Sequence, residues 1–153
     1  MINRLLPEQI SKFWDVIKYA VEQSLPPTVG DHPDKMNRIL GSMLCGKIDV
    51  WMSYTVNGEK RKLNGFMVTR FLYDDASDTK TLLLYCVYSY SDERVAHEFW
   101  MEGYNAMVEY AKANKCIRLI AYSDIPYLIE MANAIGAETR FHLISFPLKT
   151  VKI

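Results

Sequence analysis

The stretch from Lys80 to Asp124 constrains the fold more than any other part of the chain. It opens with Thr81-Leu82-Leu83-Leu84-Tyr85-Cys86-Val87-Tyr88, a run without charge that reads as a strand covered on both faces. Alternation places Leu82, Leu84 and Cys86 on one face of that strand and Leu83, Tyr85 and Val87 on the other. The periodicity then predicts a long helix from about Glu93 to Ala113 and a second strand over Ile117–Tyr122. A strand, a helix and a strand in that order form a crossover, which lays two parallel strands into one covered sheet.

Half of the 153 residues are apolar, enough for one globular domain, 1–153, with a sizeable core. Eighteen basic and eighteen acidic residues cancel, so no strong field draws nucleic acid phosphates or an anionic membrane. No run approaches the roughly 20 apolar residues of a membrane span. Cys45, Cys86 and Cys116 are odd in number, lie in apolar surroundings and lack metal-ligand spacing. They read as reduced thiols in a cytoplasmic chain, with no metal site.

Ahead of the crossover, Ile2–Leu6 alternates as a short edge strand, and Pro7 opens a helix expected to run unbroken to about Gln23. A second helix is expected over Asp34–Leu44, with Met36, Ile39, Leu40, Met43 and Leu44 inward. Ile48–Val56 and Leu63–Tyr73 read as a hairpin about an Asn57-Gly58 turn, with Lys60, Arg61 and Lys62 as a solvated tip. After the crossover, Asp124 is a candidate N-cap two residues before Pro126, for a helix reaching Gly136. Thr139–Leu148 reads as a last strand, at an edge because of Pro147.

This order resembles the GNAT acyltransferase superfamily over nearly the whole chain. The likeness is carried by the opening Ile2-Asn3-Arg4-Leu5-Leu6-Pro7-Glu8-Gln9, the apolar strand and long helix over Leu82–Ala113, and the ending Ile129-Glu130-Met131-Ala132-Asn133-Ala134-Ile135-Gly136-Ala137. The resemblance implies an α/β (α+β) fold: a mixed, mainly antiparallel sheet of about six strands flanked by four helices, with a V-shaped splay between the central strand and its successor. It implies an acyl-CoA such as acetyl-CoA in that splay, and an amine as acceptor. The backbone from Tyr85 through Cys86, Val87 and Tyr88 to Ser89 would then pair with pantetheine. The turn from Asp92 to Glu98, with Arg94, Val95 and His97, would receive pyrophosphate.

The chain departs from the family pattern at that turn. Ser91-Asp92-Glu93-Arg94-Val95-Ala96-His97-Glu98-Phe99-Trp100 has no glycine to bring backbone amides against a phosphate, and its acidic residues suit an ordinary capped helix start. Ala132 stands where many family members carry a general-acid Tyr, which leaves Tyr88 and Tyr90 as candidate acids and Glu98 as a candidate base. Tyr85, Tyr88, Tyr90, Tyr104 and Tyr122 would line the splay or fill it. The second expectation is a GNAT-fold module without catalysis that contacts a protein partner through Trp100, Met101 and Tyr104. Degenerate GNAT-like domains of this size, with a similar ending, resemble those encoded by tailed bacteriophages, which implies a virion-associated or host-directed role.

Overall fold

The computed structural model describes residues 1–90 and 93–148, with only the backbone described over 93–96. Two compact units result, Met1–Tyr122 and Ser123–Ile153, the latter described through Leu148.

The first unit is one five-stranded sheet in the order β1 (Ile2–Arg4), β2 (Asp49–Asn57), β3 (Lys60–Asp74), β4 (Thr79–Ser89) and β5 (Arg118–Ala121). Neighbours are antiparallel except for the parallel pair of β4 and β5. With α1 (Pro7–Lys12), α2 (Trp14–Glu22), α3 (Lys35–Leu44), α4 (Glu93–Ala113) and α5 (Pro126–Ala134), the described residues hold five strands and five helices, against about six and four expected.

Two corrections produce that difference. The helix expected from Pro7 to Gln23 breaks at Phe13, whose φ of −103° and ψ of 16° lie outside the helical well. Either side of the break, Ile10 and Ile17 are fully inside, while Phe13 turns outward. α1 itself starts as its sequence suggests, with Pro7 at the first position and the Leu6 amide donating to Gln9 Oε1 at 2.8 Å. The second correction is the last strand: residues 139–148 form none. A strand is stabilised by a neighbour's donors and acceptors, and the described residues of the second unit, taken alone, contain one helix and no strand to supply them. In that unit the cap of α5 is Ile125 rather than Asp124, with Pro126 at the first helical position and the Ser123 hydroxyl accepting from the Ile125 amide at 3.2 Å.

The hairpin also shifts. Asn57 pairs with Lys60, so the loop is Gly58-Glu59, with Gly58 at φ +65° in the first loop position. Lys60, Arg61 and Lys62 accordingly belong to β3 rather than to a free tip. In α3, Met36, Ile39 and Met43 are buried as expected, but Leu44 is exposed at the helix end.

Helices cover the sheet on both faces. One layer joins Ile10, Ile17, Val21, Ile39 and Met43 of α1–α3 to Val50, Phe66, Val68 and Cys86. The other joins Met107 and Ala111 of α4 to Met67 and Leu82. α4 lies close: a methyl group at Gly103 would come within 2.9 Å of Met67 Cε. A polar clasp reinforces this layer. Tyr110 of α4 donates to Asp49 Oδ2 at 2.9 Å, packs edge-on against Trp51 and carries the Arg4 guanidinium over its ring.

Two β-bulges interrupt the ladders. Ser53 pairs with Gly65 and Tyr54 with Leu63, which leaves Asn64 as an extra residue in β3. Val68 pairs with Cys86 and Thr69 with Leu84, which leaves Tyr85 as an extra residue in β4. The second bulge corrects the alternation expected of β4. One surplus residue reverses the phase, so Val87 joins Leu82 and Leu84 on the α4 side, while Tyr85, Cys86 and Tyr88 face α1–α3.

Candidate functional site

The bulge at Tyr85 coincides with the end of the parallel pairing. β5 accompanies β4 from Thr81↔Arg118 to Leu84↔Ala121 and no further, whereas β4 continues to Ser89 alongside β3. The central strand therefore parts from its successor at Leu84, as the family resemblance implied, and Tyr85–Ser89 form the stretch beyond the fork. The pairing stops where β5 itself ends at Ala121, and the bulge, which bends its strand and re-aims backbone groups, falls at the next residue of β4.

A cluster of rings collects on the α2 side of this stretch. Tyr88 meets Tyr19 edge-on at 6.1 Å between centroids and Tyr90 at 4.9 Å, and Tyr90 meets Phe66 at 6.4 Å. Loss of solvent, and then a hydrogen bond shared with the Tyr19 hydroxyl, push the Tyr88 phenol above its ordinary range. Burial, followed by the neighbouring Tyr88 and Tyr19, raises Tyr90. Both are thus proton donors at neutral pH. Burial raises Tyr85 as well.

Local structure holds this cluster in place through β3. The bulged Asn64 accepts from the Tyr90 amide through its carbonyl at 2.8 Å and donates from its side chain to Thr55 Oγ1 at 2.7 Å. At Gly65 a Cβ would overlap the Tyr88 carbonyl oxygen and lie 3.0 Å from Phe99 Cζ of α4. Only glycine lets β3 approach so near at this point.

The structure brings Tyr88 and Tyr90 together, with Tyr85 on the same side of the sheet. Glu98 and His97 stand exposed on α4, which packs on the other face, and among the described residues no contact joins Glu98 to either tyrosine. Tyr104 and Tyr122 likewise make no ring contact with Tyr88 or Tyr90. Cys86 is 3% exposed and its thiol is pushed up to about 12 by burial, so it holds its proton and is no nucleophile. Of the expected pyrophosphate turn, Asp92 lies outside the described residues, as does Ser91 before it. Arg94 and Val95 are placed only as part of the α4 backbone. No group of three or more His, Cys, Asp or Glu that could hold a metal occurs among the described residues. None of their helices is long and apolar enough to cross a membrane.

Sequence reading missed Tyr19, Phe66, Asn64 and Arg61. The signal for Asn64 was present, since Asn-Gly inside an otherwise regular strand marks a bulge.

Beside the ring cluster lies an apolar cavity of about 280 Å³. Phe13 and Val16 enclose it from the α1–α2 break, and Met52, Leu63 and Phe66 form its floor. Tyr54 and Arg61 complete the wall, with the Arg61 guanidinium 5.5 Å from the centre of the Tyr54 ring.

A sheet in the order β1 to β5, parallel only at β4 and β5 and forked beyond Leu84, is the sheet of the GNAT acetyltransferase fold. Solved structures share this fold over the length of the chain. A probable acetyltransferase matches with 13% identity over 99% of each chain and a TM-score of 0.66. A ribosomal-protein-alanine N-acetyltransferase from Brucella melitensis biovar Abortus 2308 has 13% identity over 97% of this chain and 99% of its own, with a TM-score of 0.66. An aminoglycoside acetyltransferase from an uncultured soil metagenomic sample, in complex with sisomicin, has 15% identity over 97% and 96%, with a TM-score of 0.65. At these identities the likeness is one of fold. No family model matches the sequence, and no curated protein matches it.

Proposed function

We propose that this chain is an acyl-CoA-dependent N-acyltransferase. The observation that carries the proposal is the fork at Leu84, with the bulged Tyr85 at its base and two protonated phenols beyond it. An acyl-CoA such as acetyl-CoA lies along Tyr85–Ser89, its pantetheine paired to backbone, and its diphosphate meets the turn that includes Arg94, Val95 and His97. The acceptor amine attacks the thioester carbonyl carbon, and the C–S bond breaks as the amide forms. The departing thiolate takes a proton from Tyr88 or Tyr90, and the ammonium proton passes to water rather than to Glu98, which stands on the other face of the sheet. Both phenols keep their protons at neutral pH, so each carries the proton that the thiolate requires.

Titration with acetyl-CoA tests this reading. Saturable heat is expected, with a rise in melting temperature. At a hundredfold excess over the dissociation constant, binding adds about 2.7 kcal/mol, which is several degrees for a chain of this size. No heat and no shift at ligand concentrations on the order of millimolar would remove the enzyme.

A second reading rests on the sequence Ser91–Trp100, which lacks the glycines of a phosphate cradle, and on the exposure of Tyr104 on α4. It makes the chain a contact module for a protein partner, with a virion-associated or host-directed role. Full retention of partner binding after Trp100→Ala and Tyr104→Ala would count against it.

A further inference from the structure

We infer that the apolar cavity beside Phe66 receives the acceptor, and that the acceptor is a small amine bearing an apolar side chain and a carboxylate. The inference rests on the acyltransferase reading and adds the class of substrate. Its support is the composition of the cavity wall. Phe13, Val16, Met52, Leu63 and Phe66 present carbon to the space, which favours a hydrocarbon group by about 25 cal/mol for each Å² it removes from water. At about 280 Å³ the cavity matches a phenyl or branched alkyl group, at the small end of ligand sites.

Charge then sets the rest of the ligand. Arg61 is the one ionised side chain in the lining, and no carboxylate of a described residue pairs with it. Its guanidinium is held over the buried Tyr54 ring, whose hydroxyl in turn accepts from Asn3 Nδ2 at 2.7 Å. A planar cation fixed at an apolar rim matches a carboxylate by two parallel hydrogen bonds. The same cation repels an ammonium or a polycationic sugar. The amine of a bound acceptor therefore lies away from Arg61, and Phe66 of the floor is one ring contact from Tyr90. Such a molecule is oriented by its two ends: acid at β3's first residues, amine toward the phenols.

The test uses 3-phenylpropanoate, which has the acid and the ring but no amine, so binding is read apart from catalysis. With methionine methyl groups labelled by carbon-13, the Met52 resonance should shift saturably. Arg61→Gln should weaken binding about tenfold and Arg61→Lys by less, while the uncharged 3-phenylpropan-1-ol should bind wild type and Arg61→Gln alike. Methionine signals outside the cavity report whether each variant is folded. Absence of a saturable Met52 shift in wild type, or equal loss of acid and alcohol binding in Arg61→Gln, would overturn the inference. Acetyl-CoA is titrated into the same sample. Loss of that response alone removes acyl transfer, and loss of the 3-phenylpropanoate response alone removes the acceptor site.

Discussion

Cys86 illustrates how one residue's surroundings decide its chemistry. Its thiol lies in the layer between sheet and α1–α3, where burial holds the proton until about pH 12 against an ordinary value of 9.0. The folded pKa is the higher one, so the contribution to stability is complete below pH 9.0 and is lost as pH rises toward 12. Across that window stability should fall by up to about 1.4 kcal/mol per pH unit from this group. Urea unfolding at pH 8 and pH 10 checks it: wild type should lose more between the two than Cys86→Ala, and equal losses would show that the thiol already ionises in the fold. The buried, unreactive character of Cys86 was legible in the sequence, since an apolar strand offers no cation to hold a thiolate. Its side of the sheet was not. Alternation counts residues, and it cannot register an insertion whose only mark is a missing partner on another strand.

At the scale of elements, Gly65 is the point where β3, β4 and α4 converge. A methyl group there meets the Tyr88 carbonyl, which belongs to the sheet ladder and cannot rotate away. Gly65→Ala should therefore cost about 2–3 kcal/mol, at the upper part of the usual range for overpacking. Urea unfolding measures it, and the Tyr88 and Tyr90 ring resonances should move with it. A loss below about 0.5 kcal/mol would mean that the strands separate without resistance. Elements set by local signals were readable: α4 spans Glu93–Ala113 as its periodicity predicts, and α3 and the hairpin fall within a few residues. The break at Phe13 was not readable, because no proline or glycine marks it. An unbroken helix would hold Phe13 in one stripe with Ile10 and Ile17, and the break instead turns it out to solvent.

For the molecule as a whole, stability rests on carbon more than on charge. The ion pairs of the described residues, Met1 amino group with Glu102, Lys35 with Asp31 and Arg140 with Glu138, involve exposed partners, and the formal net charge is zero. Raising NaCl from about 0.05 M to about 0.5 M should change the unfolding free energy by less than about 1 kcal/mol. A larger loss, read from urea midpoints, would reveal a charge network that these pairs do not include. The architecture was legible as an order of elements, because a crossover followed by a helix admits few sheet topologies. The ligand-bearing details were less so. Arg61 read as a solvated tip because its role depends on Tyr54 across the hairpin and on Phe13 from another layer, and neither is near it in sequence.

The surplus residue at Tyr85 has a consequence for how such a molecule can vary. It stands at the step of the ribbon where the seam of the sheet opens. Because Tyr85 has no partner of its own on β3, the chain could lose that one residue and still hold Leu84 and Val87 on the α4 side and Cys86 and Tyr88 on the other. The ribbon can therefore gain or lose a residue at this step without turning its oily faces over.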